Sequence, residues 1–297
     1  MSNSTAAISE VPAIHDIAKK AKPAQKFTLE IKASKGWVAL NFREFWNYRE
    51  LLYFMAWRNV MVRYKQTLLG VSWAILQPFM TMIVFSIFFG KLGKIPSDGI
   101  PYPIFSYCAL LPWQLFAHSM TESGNSLVAN QHLITKVYFP RLCIPTAPVI
   151  SGLVDFAVAF IVLIGMMFYY GIYPGWAVVT LPLFVLLAAC TSMAVGLWLS
   201  AMNAMYRDVR YTIPFLVQLW MFLTPVAYPA SIVPENWRWL HGLNPMAGVV
   251  EGFRWALLGR TEPPGISLLV SIVMVMVMLV GGLFYFRRME KYFSDRV

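Results

Sequence analysis

Hydrophobic residues along this chain fall into long runs almost free of charge, and the polar residues gather between them. Leu68 to Phe89 contains no Asp, Glu, Lys or Arg, and neither does Ile266 to Phe286. At a rise of about 1.5 Å per residue, a helix of that length crosses a hydrocarbon core about 30 Å thick. Comparable runs at 103–124, 146–170, 176–202 and 211–229 bring the expected number of spans to six. The pattern therefore predicts an all-α integral membrane protein. A soluble protein with very buried helices does not fit, because the runs recur and the charges sit between them. The 103–124 run is the least apolar. Pro112, His118, Glu122 and Gly124 mark it as a span that is broken or partly re-entrant.

The segments between the runs carry patterns of their own. On a helix over 42–66, Phe42, Trp46, Tyr53, Trp57, Val60 and Tyr64 fall on one side. Arg43, Asn47, Glu50, Arg58 and Lys65 fall on the other. An aromatic face opposite a basic one is the pattern of a helix lying in the membrane interface. The plainer reading is a cytoplasmic extension of the first span, and Gly70 and Pro78 argue for a break there. Pro234-Glu235-Asn236-Trp237 looks like a helix start, and Asn244-Pro245 like a turn. A second short helix then runs from Met246 to Gly259. Glu251 and Arg254 lie one turn apart on it, which makes an independent crossing costly. Two short helices dipping into the outer leaflet fit the 230–265 segment. The organisation expected is a flexible cytoplasmic tail over 1–40, an interface helix over 41–67, and a six-span domain over 68–290.

Charge orients this arrangement. Of the 297 residues, 58% are hydrophobic and only 13% charged, yet the net charge is +10. In a soluble chain that excess would raise nucleic-acid binding; here it reads as topology. With termini inside, the inner segments from Arg43 onward hold thirteen Lys and Arg and the outer segments five (Lys91, Lys94, Arg238, Arg254 and Arg260). Both termini are therefore expected in the cytoplasm. Residues 1–40 hold Lys19, Lys20, Lys22, Lys26, Lys32 and Lys35 without an apolar run of the signal-peptide kind, so no signal peptide is expected among them. Cys108, Cys143 and Cys190 are scattered and odd in number, so neither a disulfide framework nor a metal site is expected.

One motif is missing. The sequence has no G-x-x-x-x-G-K followed by Ser or Thr, the loop that cradles nucleotide phosphates; Gly90-Lys91-Leu92-Gly93-Lys94 lacks the spacing. If ATP drives this protein, another polypeptide binds it. The inner loop NSLVANQHLITKVYFPRLCIP (125–145) is unusually apolar, with Leu133, Ile134, Val137, Tyr138 and Phe139. An apolar cluster on an exposed loop marks a partner surface.

Five stretches together resemble one family: WRNVMVRYKQTLLGVSWAILQP (57–78), TKVYFPR (135–141), YRDVRY (206–211), LTPVAYP (223–229) and LNPMAGVVEGFRWALLG (243–259). The chain, from about Phe42 to Lys291, is similar to the membrane subunits of type-2 ABC exporters of cell-surface polysaccharide. It departs after Phe139-Pro140-Arg141, where many members carry a charged residue and this chain has Leu142 and Cys143. The resemblance implies a homodimer paired with two ABC ATPase subunits in the bacterial cytoplasmic membrane. It implies no cofactor in this chain, with ATP and magnesium bound by the partner ATPase, and a lipid-linked polysaccharide as cargo. O-antigen ranks first, then capsular polysaccharide, then teichoic acid. The 125–145 loop matches the ATPase-coupling helix, with Asn130, Leu133, Lys136, Tyr138, Phe139 and Arg141 as contact residues. The 42–66 segment, with Trp46, Tyr53, Trp57 and Arg58, matches the interface helix. The 230–262 segment, with Trp237, Asn244, Glu251 and Arg254, matches the short helices at the channel exit.

Two stripes suit a glycan conduit. Trp73, Gln77, Thr81 and Phe88 share a helical face in the first span, and Phe215, Gln218 and Phe222 do in the fifth. Aromatic faces stack on sugar rings, and an amide needs a polar partner inside a bilayer. Helix packing with buried polar contacts accounts for the same stripes. Asp155, about a third of the way into the third span, is either functional or a paired structural carboxylate. Tyr169, Tyr170, Tyr173 and Trp176 read as an aromatic belt. A secondary transporter or channel would need more intramembrane carboxylates than Asp155. A membrane-bound glycan-modifying enzyme would need a catalytic cluster, and His118, His132 and His241 are scattered.

Overall fold

The computed structural model describes residues 42–65, 70–234, 237, 241–259, 263 and 265–296, and these residues are helical with irregular connections. The expected tail over 1–40 and residues 235–236 of the expected outer helix start lie outside them. The helices, in chain order, are α1 (Phe42–Asn47), α2 (Arg49–Lys65), α3 (Ser72–Phe85), α4 (Tyr102–Ala129), α5 (Gln131–Lys136), α6 (Cys143–Tyr169), α7 (Leu181–Met205), α8 (Val209–Leu223), α9 (Pro245–Leu258) and α10 (Ile266–Arg296). A π-helical stretch, Ser86–Leu92, continues α3, and a 3₁₀ turn, Trp176–Thr180, leads into α7.

Four helical segments are long and apolar enough to cross a membrane: Ser72–Leu92, Cys143–Tyr169, Trp176–Met205 and Ile266–Phe293. The other two expected spans differ from them for separate reasons. α4 is 28 residues long and continuous through Pro112, so the expected break is absent. It is the central helix, packed against α6 on one side and α7 on another. Protein rather than lipid surrounds it, and every residue from Ile104 to Trp113 is buried. It therefore tolerates Ser, Gln and His that a lipid-facing helix would not. α8 has only 15 residues, about 22 Å of helix. The rest of the expected fifth span, 224–229, is an irregular return loop.

Small residues set the helix crossings around α4. A Cβ on Gly196 of α7 would come within 2.4 Å of Ser123 Oγ, and one on Gly152 of α6 within 2.3 Å of Ser119 Oγ. Close backbone approach of this kind is how helices associate inside a bilayer, where lipid competes for every apolar contact.

The 42–66 segment is two helices broken at Tyr48, not one. Its faces also differ from the two-sided pattern. Leu52, Met55, Ala56 and Val60 form a buried stripe against the bundle, while Trp46, Tyr53 and Trp57 point away and Tyr53 stacks on Trp57. Val60 and Tyr64, grouped with the aromatics by spacing alone, turn inward. A second apolar cluster joins α2 to the α4–α6 connection and to the end of α10 through Ile134, Phe139, Leu142, Phe286 and Phe293.

Candidate functional site

A cavity of about 520 Å³ lies among α3, α4, α6 and α8, with the end of α2 contributing Arg63 and Tyr64. From α3 come Trp73, Gln77 and Thr81, from α8 Gln218, and from α6 Asp155 and Phe156. Four of the seven residues in the two stripes expected from sequence thus share one space. Phe88, Phe215 and Phe222 are exposed and do not line it. α4 supplies Gln114, His118 and Thr121, which the sequence reading did not select. Their spacing, i, i+4 and i+7, is one helical face. Of the three, only His118 enters the sequence reading, as one of the marks of a broken span.

The polar end of the cavity centres on Asp155. Arg63 Nη1 donates to its Oδ2 and the Tyr64 hydroxyl to its Oδ1. His118 Nε2 stands 3.9 Å from Oδ2. The carboxylate is therefore paired, as an intramembrane charge must be. Burial pushes the Arg63 guanidinium below its ordinary value, opposed by the nearby Glu122 carboxylate. Burial likewise pushes the Tyr64 phenol up, opposed by Arg63, so the hydroxyl stays protonated and remains a donor. Amide groups, a carboxylate and the faces of Trp73, Trp113 and Phe156 together offer hydrogen bonds and flat apolar surface. That combination suits a polyhydroxylated ligand with apolar ring faces.

The 125–145 segment begins as the last turn of α4, bends at Asn130, forms the short helix α5 and runs extended through Val137. Its expected contact residues divide. Lys136 and Tyr138 are exposed, Tyr138 at 65%. Leu133 is half-buried and Phe139 buried, both packed into the second cluster. Arg141 Nη1 donates to the Glu290 carbonyl at 2.5 Å and sits 6.0 Å from the Phe293 ring centroid, holding the segment to α10. Asn130 Oδ1 accepts from Arg58 Nη2 at 2.8 Å, and its Nδ2 donates to the Ser126 carbonyl at 2.8 Å. Arg58, placed by spacing on the basic face of the interface helix, is thus tied to the bend.

At the opposite end, Asn244 caps α9 through the Met246 amide at 3.1 Å and accepts from Trp220 Nε1 at 2.9 Å. Its amide donates to Thr224 Oγ1 at 2.9 Å and the Leu223 carbonyl at 3.1 Å. α9 ends on Gly259 at φ 62°, the left-handed terminator that glycine adopts without strain. Arg254 is buried at 2% exposure and bonded to the return loop. Glu251 pairs instead with His241 Nδ1 at 3.5 Å, and Trp237 is exposed. Asn244 and Arg254 are therefore internal braces of this end.

Comparison with known proteins gives the arrangement a family. Over 254 residues the chain is 32% identical to the O-antigen export system permease protein RfbA of Myxococcus xanthus, covering 84% of this chain and 96% of that one. A protein of the same name from Klebsiella pneumoniae is 28% identical over 250 residues, covering 83% and 94%. The polysialic acid transport protein KpsM of Escherichia coli is 25% identical over 242 residues, covering 79% and 91%. The profile of the ABC-2 type transporter family matches residues 50–258, from α2 to the end of α9, and the chain belongs to that family.

Proposed function

We propose that this chain is the permease subunit of an ATP-driven exporter that carries a lipid-linked polysaccharide, O-antigen first, across the bacterial cytoplasmic membrane. Capsular polysaccharide and teichoic acid follow in that order. The observation that carries this reading is the likeness to O-antigen export permeases over nearly the whole of both chains. The cavity supports it, because amides, a carboxylate and aromatic faces are what sugar hydroxyls and ring faces need. Family membership favours it over a secondary transporter or a channel acting alone.

In this reading α4 and α8, with its return loop, complete six spans, and both termini face the cytoplasm. Two copies pair around a central path with Trp73, Gln77, Thr81 and Gln218 along it. ATP and magnesium bind a separate ABC ATPase, two copies of which dock on the loop bearing Lys136 and Tyr138. The absent phosphate loop and the exposed apolar side chains Val137 and Tyr138 support that division of labour. α1 and α2 lie along the membrane surface, anchored by Trp46, Tyr53 and Trp57, while α9 and the return loop close the exit.

Deleting the gene and analysing the surface glycans tests this directly. Loss of O-antigen from the surface, with lipid-linked polymer accumulating inside and the wild-type gene restoring export, is the expected result. An unchanged surface glycan profile would refute it.

A further inference from the structure

Helix α2 makes two polar clasps with different parts of the bundle. Arg58 donates to Asn130 at the bend between α4 and α5, at 2.8 Å. Five residues later Arg63 and Tyr64 donate to the two oxygens of Asp155 on α6, in the cavity wall. The clasps are about 7.5 Å apart along the helix and about 140° apart around it, so one rod holds two neighbours at once. N-terminal to both clasps, Leu52, Met55 and Ala56 lie in the cluster that also holds Cys143, Ile144 and Ala147 of α6.

We propose that α2 is a lever that carries movement of the α4–α5 bend into the cavity, with Asp155 as its receiving residue. This rests on the reading of the chain as a permease driven from the α5 loop.

Apolar contacts alone let a helix slide along its neighbour, because one methyl contact replaces another at little cost. Directed bonds to charged groups have one register and lose much of their strength when displaced. An ion pair that is partly buried, as Arg63 and Asp155 are, costs desolvation, and apolar residues would hold two helices together as well or better. Placing one where a surface helix meets the cavity wall makes sense if register must be kept under load. A stroke at the bend pulls Arg58, α2 moves as a rod, and Arg63 and Tyr64 shift Asp155 and its α6 neighbours Gly152 and Phe156 in the wall. Asp155 acts here as a positioning residue.

The test uses the assembled complex of permease and ATPase in lipid vesicles. Cys108, Cys143 and Cys190 are replaced by Ala, and Gln77→Cys supplies a single label site in the cavity. The readout is the change in labelling rate of Gln77→Cys on adding ATP, a quantity that needs no glycan. Asp155→Asn should shrink this change by about fivefold or more, the lower end of typical coupling between sites. The exchange Arg63→Asp with Asp155→Arg should restore it to near wild-type size. Arg58→Ala, at the other clasp, should shrink it like Asp155→Asn. If Arg58→Ala leaves the change intact, or if the wild type shows none, the lever is wrong whatever Asp155→Asn does. If the exchanged pair assembles in wild-type amounts but restores nothing, the Asp155 clasp is packing and the proposal fails. Failure of the wild-type complex to export glycan while the labelling change persists would instead refute the exporter reading and leave the lever standing.

Discussion

The guanidinium of Arg254 lies 3.6 Å from the centroid of the Phe105 ring, sandwiched between α4 and the return loop after α8. Its Nη1 donates to the carbonyls of Pro225 at 2.6 Å and Tyr228 at 3.1 Å, and its Nη2 to Val226 at 2.7 Å. Tyr102 adds a bond to Ala227 at 2.6 Å. A loop with no helical bonds of its own thus has four of its carbonyls satisfied inside the protein. In a membrane, irregular backbone is tolerated only when protein supplies the partners.

Replacing Arg254 by Met should therefore leave three carbonyls without donors and lower stability by about 3 kcal/mol or more. Arg254→Lys should recover only part of that loss, because an ammonium cannot reproduce the fork that spans three carbonyls. Thermal unfolding of the purified chain in detergent measures both. Equal melting temperatures for wild type and Arg254→Met would show that the loop does not depend on this side chain.

The α5 loop separates folding from docking. Tyr138→Asp together with Val137→Asp should leave the chain inserted in normal amounts but weaken ATPase capture, since both side chains are exposed. Ile134→Asp should instead reduce the amount of folded chain, because it buries a charge in the second cluster. Co-purification with the ATPase and membrane yield, measured side by side, distinguish the effects. Undiminished capture by the double variant would place the docking surface elsewhere.

At the membrane surface, Ser at positions 46, 53 and 57 removes two Trp and one Tyr that face outward. In the proposed placement of α1 and α2, such rings anchor the helix at the headgroup level. The triple variant should insert its long helices normally yet give fewer assembled complexes. Spin labels at the same positions that report bulk water would contradict the anchoring role.

The cavity predicts which members of the two stripes matter for transport. Trp73→Ala should slow export by a cost of about 1 kcal/mol, the scale of one aromatic contact. Phe88→Ala and Phe222→Ala, off the cavity, should have smaller effects. A bulky thiol reagent on Gln77→Cys or Gln218→Cys should block export outright. Continued export after full modification at both positions would mean that the path lies elsewhere.

Some of this protein was legible without its fold. Ser72 to Phe89 and Ile266 to Phe286 are helical as their uncharged runs predict, because a segment that crosses lipid alone must bond its own backbone. Asn244-Pro245 and Gly259 bracket α9 almost to the residue, because capping is a local matter of one side chain and one backbone angle. The family motifs also lay in the sequence, and the profile match from 50 to 258 covers them.

Other features were decided between helices. Pro112, His118 and Glu122 read as interruptions of a span, yet α4 is unbroken, because neighbours on several sides supply what lipid could not. Trp73 and Phe88 share a stripe by spacing, but only Trp73 lines the cavity that the other helices complete. Arg58 and Asn130 are 72 residues apart, and Arg63 and Asp155 are 92 apart. Periodicity along one helix says which residues share a face and nothing about what that face meets. The polar partners in this bundle come from distant segments, so their pairing became visible only once the helices were packed.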